Sequence, residues 1–157
     1  MAGATSRRAG AGERRRLDSA PLSAETSFLL ARATALTLAH GNEVLSPLGL
    51  KVRSYSVLAL AAAGYRPSQR DLAAYLRLDP SQVVALIDDL ERRDLVARDP
   101  DPSDRRANVV VATAAGSDLA SHAHEVLAES EDLLFSGLTA HERDTLAALL
   151  RRIALPE

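Results

Sequence analysis

The chain has 157 residues, a formal net charge of −2, 46% hydrophobic residues and no cysteine, which fits one domain or one domain with extensions. Without cysteine, disulfide frameworks, thiolate metal sites, thiol redox sensing and cysteine nucleophiles are excluded, because each needs the sulfur. Aromatics make up only 3% with no Trp, so single-strand binding by base stacking has few platforms. No apolar run approaches the ~18 residues of a membrane span. The arginine-bearing N-terminus leads into Leu17-Asp18-Ser19 without the apolar core of a signal peptide, so a cytoplasmic protein with no membrane partner is expected.

Charge is unevenly spread. Residues 1–16 carry +4 and are rich in Ala and Gly, the composition of a basic, disordered tail. Residues 17–46 sum to −2, residues 116–157 to −5, and residues 47–115 to +1, so the middle is the segment most tolerant of a polyanion.

Helix signals dominate from Leu22 onward. Ser23 can cap a first helix with Phe28, Leu29, Leu36 and Val44 as its apolar residues, broken at Ser46-Pro47 and Gly49. A second helix is predicted over about 51–63, burying Val52 and Leu58 and ending at Gly64. Ser68 with Asp71 three residues later is a capping-box variant that opens a short helix through Leu76. Asp79-Pro80-Ser81-Gln82 is a stronger start: a capping carboxylate, a proline whose missing N–H costs nothing, and Gln82 at the reciprocal box position. Val83, Leu86, Ile87 and Leu90 then mark a core face, leaving Ser81, Ala85, Asp88 and Arg92 on the other. Leu95 to Arg98 and Ala107 to Ala112 read as strands around a turn cluster at 99–104, making a β-hairpin. Thr113 caps a long helix with Leu119, Val126, Leu127 and Leu134 on its apolar side, interrupted at Gly137. Thr139 and Glu142 form a full box for a last helix carrying Leu146, Leu149, Leu150 and Ile153.

Two short capped helices, the second amphipathic and followed at once by a hairpin, are the parts of a winged helix-turn-helix. A reading helix needs an apolar face for its partners and a slim, polar N-terminal turn that enters the major groove without clash; Ser81 and Gln82 meet that need. Gln82 can pair with an adenine edge if it is not consumed as a cap. The hairpin needs cations at its tip to reach phosphates or the minor groove, and Arg105 and Arg106 are there.

The residues Gln69-Arg70-Asp71-Leu72-Ala73, then Ser81 to Leu90 with Glu91-Arg92-Arg93-Asp94-Leu95-Val96, and above all Arg98 to Arg106 running into Val109 to Gly116, resemble the MarR family of transcriptional regulators. The likeness spans roughly residues 24–154. It implies a mainly α fold with a small β-hairpin: a basic tail over 1–20, an N-terminal dimerisation helix over 21–46, a winged helix-turn-helix DNA-binding domain over 47–115, and C-terminal dimerisation helices over 116–157. It further implies a homodimer on pseudo-palindromic double-stranded DNA, repressing transcription. The implied DNA-facing residues are Gln69, Arg70, Ser81, Gln82, Val84, Ala85, Arg98, Arg105 and Arg106, with Arg106 entering the minor groove. Two positions depart from the family pattern. Val84 and Ala85 replace the threonine and arginine of many members, so base-specific hydrogen bonds should be few. Asp94 replaces a helix-terminal glycine, where a left-handed backbone costs a side-chain-bearing residue something.

The resemblance also implies a small-molecule pocket lined by the end of the first helix and the start of the second. There His40, Arg53, Ser54 and Tyr55 place a cation, hydroxyls and an imidazole among aliphatics, which suits a small aromatic or carboxylate effector. Helix-end polar groups without a ligand are the plain alternative. No cofactor is expected. Asp88 and Asp89 are expected to pair with Arg92 and Arg93 four residues on. His122 and His124, two apart on a helix, point to different faces, unlike a zinc-gripping pair, and Asp118 with His122 makes an ion pair rather than a site. There is no nucleophile elbow, P-loop or dinucleotide fingerprint, so an enzyme is not expected. The competing reading is a winged-helix adaptor that binds protein rather than DNA.

Overall fold

The computed structural model describes residues 17–101 and 108–155. The first part of the basic tail, the hairpin tip with Arg105 and Arg106, and the last two residues lie outside the described residues. The described helices and strands run α1 (Thr26–Leu45), α2 (Val52–Ala62), α3 (Gln69–Leu76), α4 (Pro80–Arg92), β1 (Val96–Pro100), β2 (Asn108–Ala112), α5 (Ala114–Leu134) and α6 (Ala140–Ala154). This is the mainly α fold with a small hairpin that the sequence led us to expect. Among the described residues no helix is long and apolar enough to cross a membrane.

The chain separates into two compact units, 1–39 and 40–157, with the boundary inside α1. In the first unit Ser23 does not cap a helix. Pro21–Ala24 is a 3-10 turn, and the Ser23 hydroxyl donates to the carbonyls of Ala20 at 2.7 Å and Leu17 at 3.2 Å. Proline fixes the backbone for this tighter coil, so the α-helix proper begins only at Thr26. Leu29, Leu30 and Leu36 are exposed along it.

The second unit contains the core. Leu45, Leu50, Val57, Leu58, Leu72, Val83, Ile87, Leu90, Val96 and Val110 are each no more than 2% exposed, and they join the end of α1, α2, α3, α4 and the hairpin around one cluster. The first turn of α2 is closed from two sides. Asn42 Oδ1 accepts the Val52 N–H at 2.9 Å, and the Ser54 hydroxyl accepts the Lys51 N–H at 2.9 Å, satisfying donors that a helix start leaves unpaired. Gly64, at φ +79°, ends that helix region as expected.

The hairpin is longer than predicted. Asp99 and Pro100, expected in the turn, belong to β1 and pair with Val109 and Asn108. Pro100 is tolerated because it is the last residue of an edge strand, where its missing N–H breaks little of the ladder. On the other side β2 is extended by the segment before α3: the Val110 N–H donates to the Pro67 carbonyl at 2.8 Å, and Ser68 bridges Val109.

The buried face of α5 also differs from the expectation. Leu119, Val126, Leu127 and Leu134 are only half-buried, and the buried positions are Gly116, Ala120 and Ala123. α5 packs closely on α2, and small residues at the contact are what let two backbones approach. Thr113 caps α5 by accepting the Gly116 N–H at 3.0 Å, while its hydroxyl donates to the Asp94 carbonyl at 2.7 Å. The Thr139–Glu142 box opens α6 as predicted: the Glu142 carboxylate accepts the Thr139 N–H at 2.8 Å, and Thr139 accepts the Glu142 N–H at 3.3 Å. No residue of α6 is buried.

Candidate nucleic-acid interface

Helices α3 and α4 are joined by three residues whose geometry is set by capping. Ser68 accepts the Asp71 N–H at 3.1 Å, and Asp71 accepts the Ser68 N–H at 3.0 Å. The Ser68 hydroxyl and N–H together hold the Asp71 carboxyl below its ordinary value. Arg77 then takes a left-handed backbone (φ 54°) and turns the chain. Asp79 caps α4, but not as the sequence implied. Its Oδ1 accepts the Ser81 N–H at 2.8 Å and the Ser81 hydroxyl at 2.5 Å, which lower its pKa, and among the described residues the Gln82 side chain makes no reciprocal bond to the Asp79 N–H. The side chain that could read a base is therefore not consumed as a cap.

Along α4 the two faces separate as the periodicity requires. Val83, Ile87 and Leu90 are buried, and Ser81, Gln82, Val84 and Ala85 are exposed. Arg70 on α3 is exposed and, among the described residues, its guanidinium makes no hydrogen bond or ion pair, although its charge helps to lower the Asp71 pKa; a cation thus stands beside the exposed face of α4. A cleft of about 500 Å³ runs between the two helices, bordered by Gln69, Arg70, Ala74, Pro80 and Val84.

Arg98, expected to face DNA, is engaged within the protein. Its guanidinium binds the carboxylates of Asp88 and Glu91 on α4. The Gln69 amide, oriented with its oxygen towards the same group, accepts from Nε at 2.8 Å. Successive strand residues point to opposite sides, so Arg98 turns to α4 while Asp99 turns away to Arg66 at 3.3 Å. Arg98 thus ties the root of the hairpin to both helices of the motif. Asp88, expected to pair with Arg92, is taken by Arg98. Asp89 does follow the local rule, with Arg92 at 2.7 Å and Arg93 at 3.7 Å. Arg93 has a second role that its spacing does not announce: it donates to the Gly49 carbonyl at 2.8 Å and to the Leu48 carbonyl at 3.5 Å. Asp94 has φ 56°, the left-handed backbone expected at that position.

The four residues named for a ligand pocket do not act alike. Ser54 is buried and its hydroxyl is committed at both ends, accepting the Lys51 N–H and donating to the Lys51 carbonyl at 2.9 Å. Arg53 is exposed. The Tyr55 hydroxyl lies 3.5 Å from Nδ1 of His124, a residue that sequence reasoning considered only for metal, and burial pushes the phenol pKa up. His40 Nε2 is buried and has no hydrogen-bond partner among the described residues. His122 pairs with Glu125 at 3.9 Å rather than with Asp118. Among the described residues no group of three His, Asp or Glu side chains is placed to hold a metal.

A model of the MarR family matches residues 48–107, which take in α2, the helix-turn-helix and the first strand of the hairpin. A crystallised transcriptional regulator (MarR family) from Rhodococcus sp. RHA1 is 39% identical, with the match covering 88% of this chain and 100% of that one at a TM-score of 0.81. The chain belongs to the MarR family. A second MarR-like structure, CouR from Rhodococcus jostii RHA1 bound to p-coumaroyl-CoA, is 41% identical over 88% of this chain and 98% of its own, with a TM-score of 0.78. A transcriptional repressor CouR bound to a 23-mer DNA duplex is 31% identical over 85% of this chain and 94% of that one, with a TM-score of 0.77. In MarR terms α3 and α4 are the helix-turn-helix, α4 is the reading helix and β1–β2 is the wing, and the chain is a transcriptional regulator of that type.

Proposed function

We propose that this MarR-family chain is a homodimeric repressor that binds double-stranded DNA at a pseudo-palindromic operator and is released by a small effector. The observation that carries the DNA reading is the outer face of α4. It is slim at Ser81 and Ala85, it bears a Gln82 side chain uncommitted among the described residues, it is flanked by the exposed cation of Arg70, and its carboxylates Asp88 and Asp89 are already neutralised by arginines. A winged-helix adaptor has no use for that combination. The DNA-bound CouR structure adds support from a relative.

Dimerisation is supported by apolar faces that a single copy leaves in water. Leu146, Leu149, Leu150 and Ile153 of α6 are 36–66% exposed, and Leu29, Leu30 and Leu36 of α1 are 41–55% exposed. Faces of this kind mark association surfaces. Two copies related by a two-fold axis would offer two reading helices about one DNA turn, ~34 Å, apart.

For the effector we propose an aromatic carboxylate or its thioester, held near the junction of α1 and α2. The buried His40 Nε2, without a partner among the described residues, calls for a hydrogen-bond partner, Arg53 offers an exposed cation, and the Tyr55–His124 pair supplies further polar groups. CouR, bound to p-coumaroyl-CoA, supplies the chemical class. Such a ligand lowers operator affinity only to the extent that it binds the non-reading form better.

Selection of bound genomic fragments at physiological salt, followed by footprinting, tests the proposal. The expected result is a protected dyad whose half-sites are one helical turn apart. Recovery of no fragment above background overturns the DNA reading, and a single unpaired half-site overturns the dimer.

A further inference from the structure

Much of the hydrogen-bonding capacity of the N-terminal turn and of the acidic groups of the reading face is committed before DNA arrives. Both donors of Ser81, the N–H and the hydroxyl, go to Asp79. Asp88 is bound to Arg98, and Asp89 to Arg92 and Arg93. Only Gln82 keeps a free amide, among the described residues of this face. Between these polar groups lie Val84, which is 39% exposed although it is a large aliphatic, and the exposed methyl of Ala85. Ala85 shares a strip of the helix surface with Ser81 and Gln82, and Val84 shares one with Ser81 on the side of the cleft towards α3, so the two methyl-bearing side chains flank the N-terminal turn of the face.

The major groove offers one apolar feature, the C5-methyl of thymine; its other edge groups are donors and acceptors. An isopropyl group set against those polar atoms would strip their water and give nothing back. Set against thymine methyls, the same group buries apolar surface at no such cost. We propose that α4 reads its half-site through thymine methyl groups packed on Val84 and Ala85, with Gln82 pairing to a neighbouring adenine, so that the centre of each half-site is A·T. This rests on the DNA-binding reading above and adds the sequence class that the helix selects.

The test removes the methyl and nothing else. In an operator recovered by genomic selection, each thymine of a half-site is replaced in turn by deoxyuridine, and the affinity of the full chain is measured by fluorescence anisotropy. At one or two thymines per half-site the wild-type protein should lose about fourfold per methyl. That loss should shrink towards onefold with Val84→Ala, or with Ala85→Gly where the thymine faces Ala85, and should persist with Gln82→Ala. Val84 is exposed, so Val84→Ala should leave the fold intact, which circular dichroism verifies. The proposal is overturned if the wild-type protein tolerates every deoxyuridine, if the penalty is unchanged in both methyl-deleting variants, or if the half-site centre holds no thymine. Failure to bind any fragment is a separate result, which overturns the DNA reading itself.

Discussion

A methyl group added to Gly116 would lie 1.8 Å from the carbonyl oxygen of Leu95. That oxygen also accepts the Thr113 N–H at 3.1 Å, so the first turn of α5 is wedged against the start of the wing. The obstacle is backbone, held by the adjacent ladder, and cannot swing aside as a side chain would. Gly116→Ala should therefore destabilise the fold by about 3 kcal/mol, the upper part of the usual range for overpacking. Urea denaturation followed by circular dichroism measures it, and an unchanged midpoint would show that the wing root yields freely.

Arg98 holds two carboxylates of the reading helix that would otherwise face phosphates. Arg98→Ala should cost under ~1 kcal/mol of stability, as expected for a partly exposed ion pair. DNA affinity should fall about tenfold for every sequence, because Asp88 and Glu91 then repel the duplex. Adding Asp88→Asn and Glu91→Gln to the same variant should restore most of the loss. If the triple variant binds as weakly as the single one, Arg98 itself touches DNA.

These pairings show what the sequence could and could not disclose. Ser68 with Asp71, Thr113 with Gly116 and Thr139 with Glu142 are contacts three residues apart, fixed by the start of a helix, and they are legible from residue type and spacing alone. The partners of Arg98 lie seven and ten residues back on another element, with Gln69 further still, and no local rule points a strand residue at them. The small-residue face of α5 was hidden for a similar reason, since it depends on how closely α2 meets α5, which hydrophobic periodicity does not report. The Ser54 hydroxyl is different: it bonds Lys51 three residues back, a local cap that spacing offered and the pocket reading passed over. Of the expected DNA-facing residues, Arg70, Ser81, Gln82, Val84 and Ala85 lie on or beside the exposed face of the motif, while Gln69 and Arg98 are bound to each other beneath it.

Arg70 should act as a positioning charge. It is exposed and unpartnered among the described residues, so Arg70→Ala should weaken operator and random DNA by the same factor. It should also make the slope of log affinity against log salt shallower by about 0.9, the value for one phosphate contact. A change confined to the operator would instead mean that Arg70 reads a base.

Three capping carboxylates carry the acid sensitivity. Asp71, Asp79 and Glu142 are each held below their ordinary values of 3.8, 3.8 and 4.5 by hydrogen bonds from Ser68, Ser81 and Thr139. A folded-state pKa below the unfolded one adds stability that is complete above the ordinary value and is lost as pH falls through the folded value. The melting temperature should thus be flat from neutral pH to about 5 and decline below about 4.5. Asp79→Asn should reduce the steepness of that decline, since asparagine caps without titrating. A decline already under way at pH 6 would show that these three carboxylates are not its source.

The exposed face of α6 should be needed for association. Leu149→Glu with Ile153→Glu should give a monomer at micromolar concentration by sedimentation velocity, with the hairpin and α2–α4 still folded, because neither residue belongs to the core. Persistence of the wild-type sedimentation coefficient would place the dimer contact elsewhere.

The hydrogen bonds from Arg93 to Gly49 and Leu48 fasten the first residue after the reading helix to the corner where α1 hands over to α2. Gly49 is itself left-handed at φ +65°, and a methyl group added there would lie 3.2 Å from the Arg93 guanidinium. The corner and the end of α4 are thus latched together by one side chain, so a displacement of either would strain the other through Arg93.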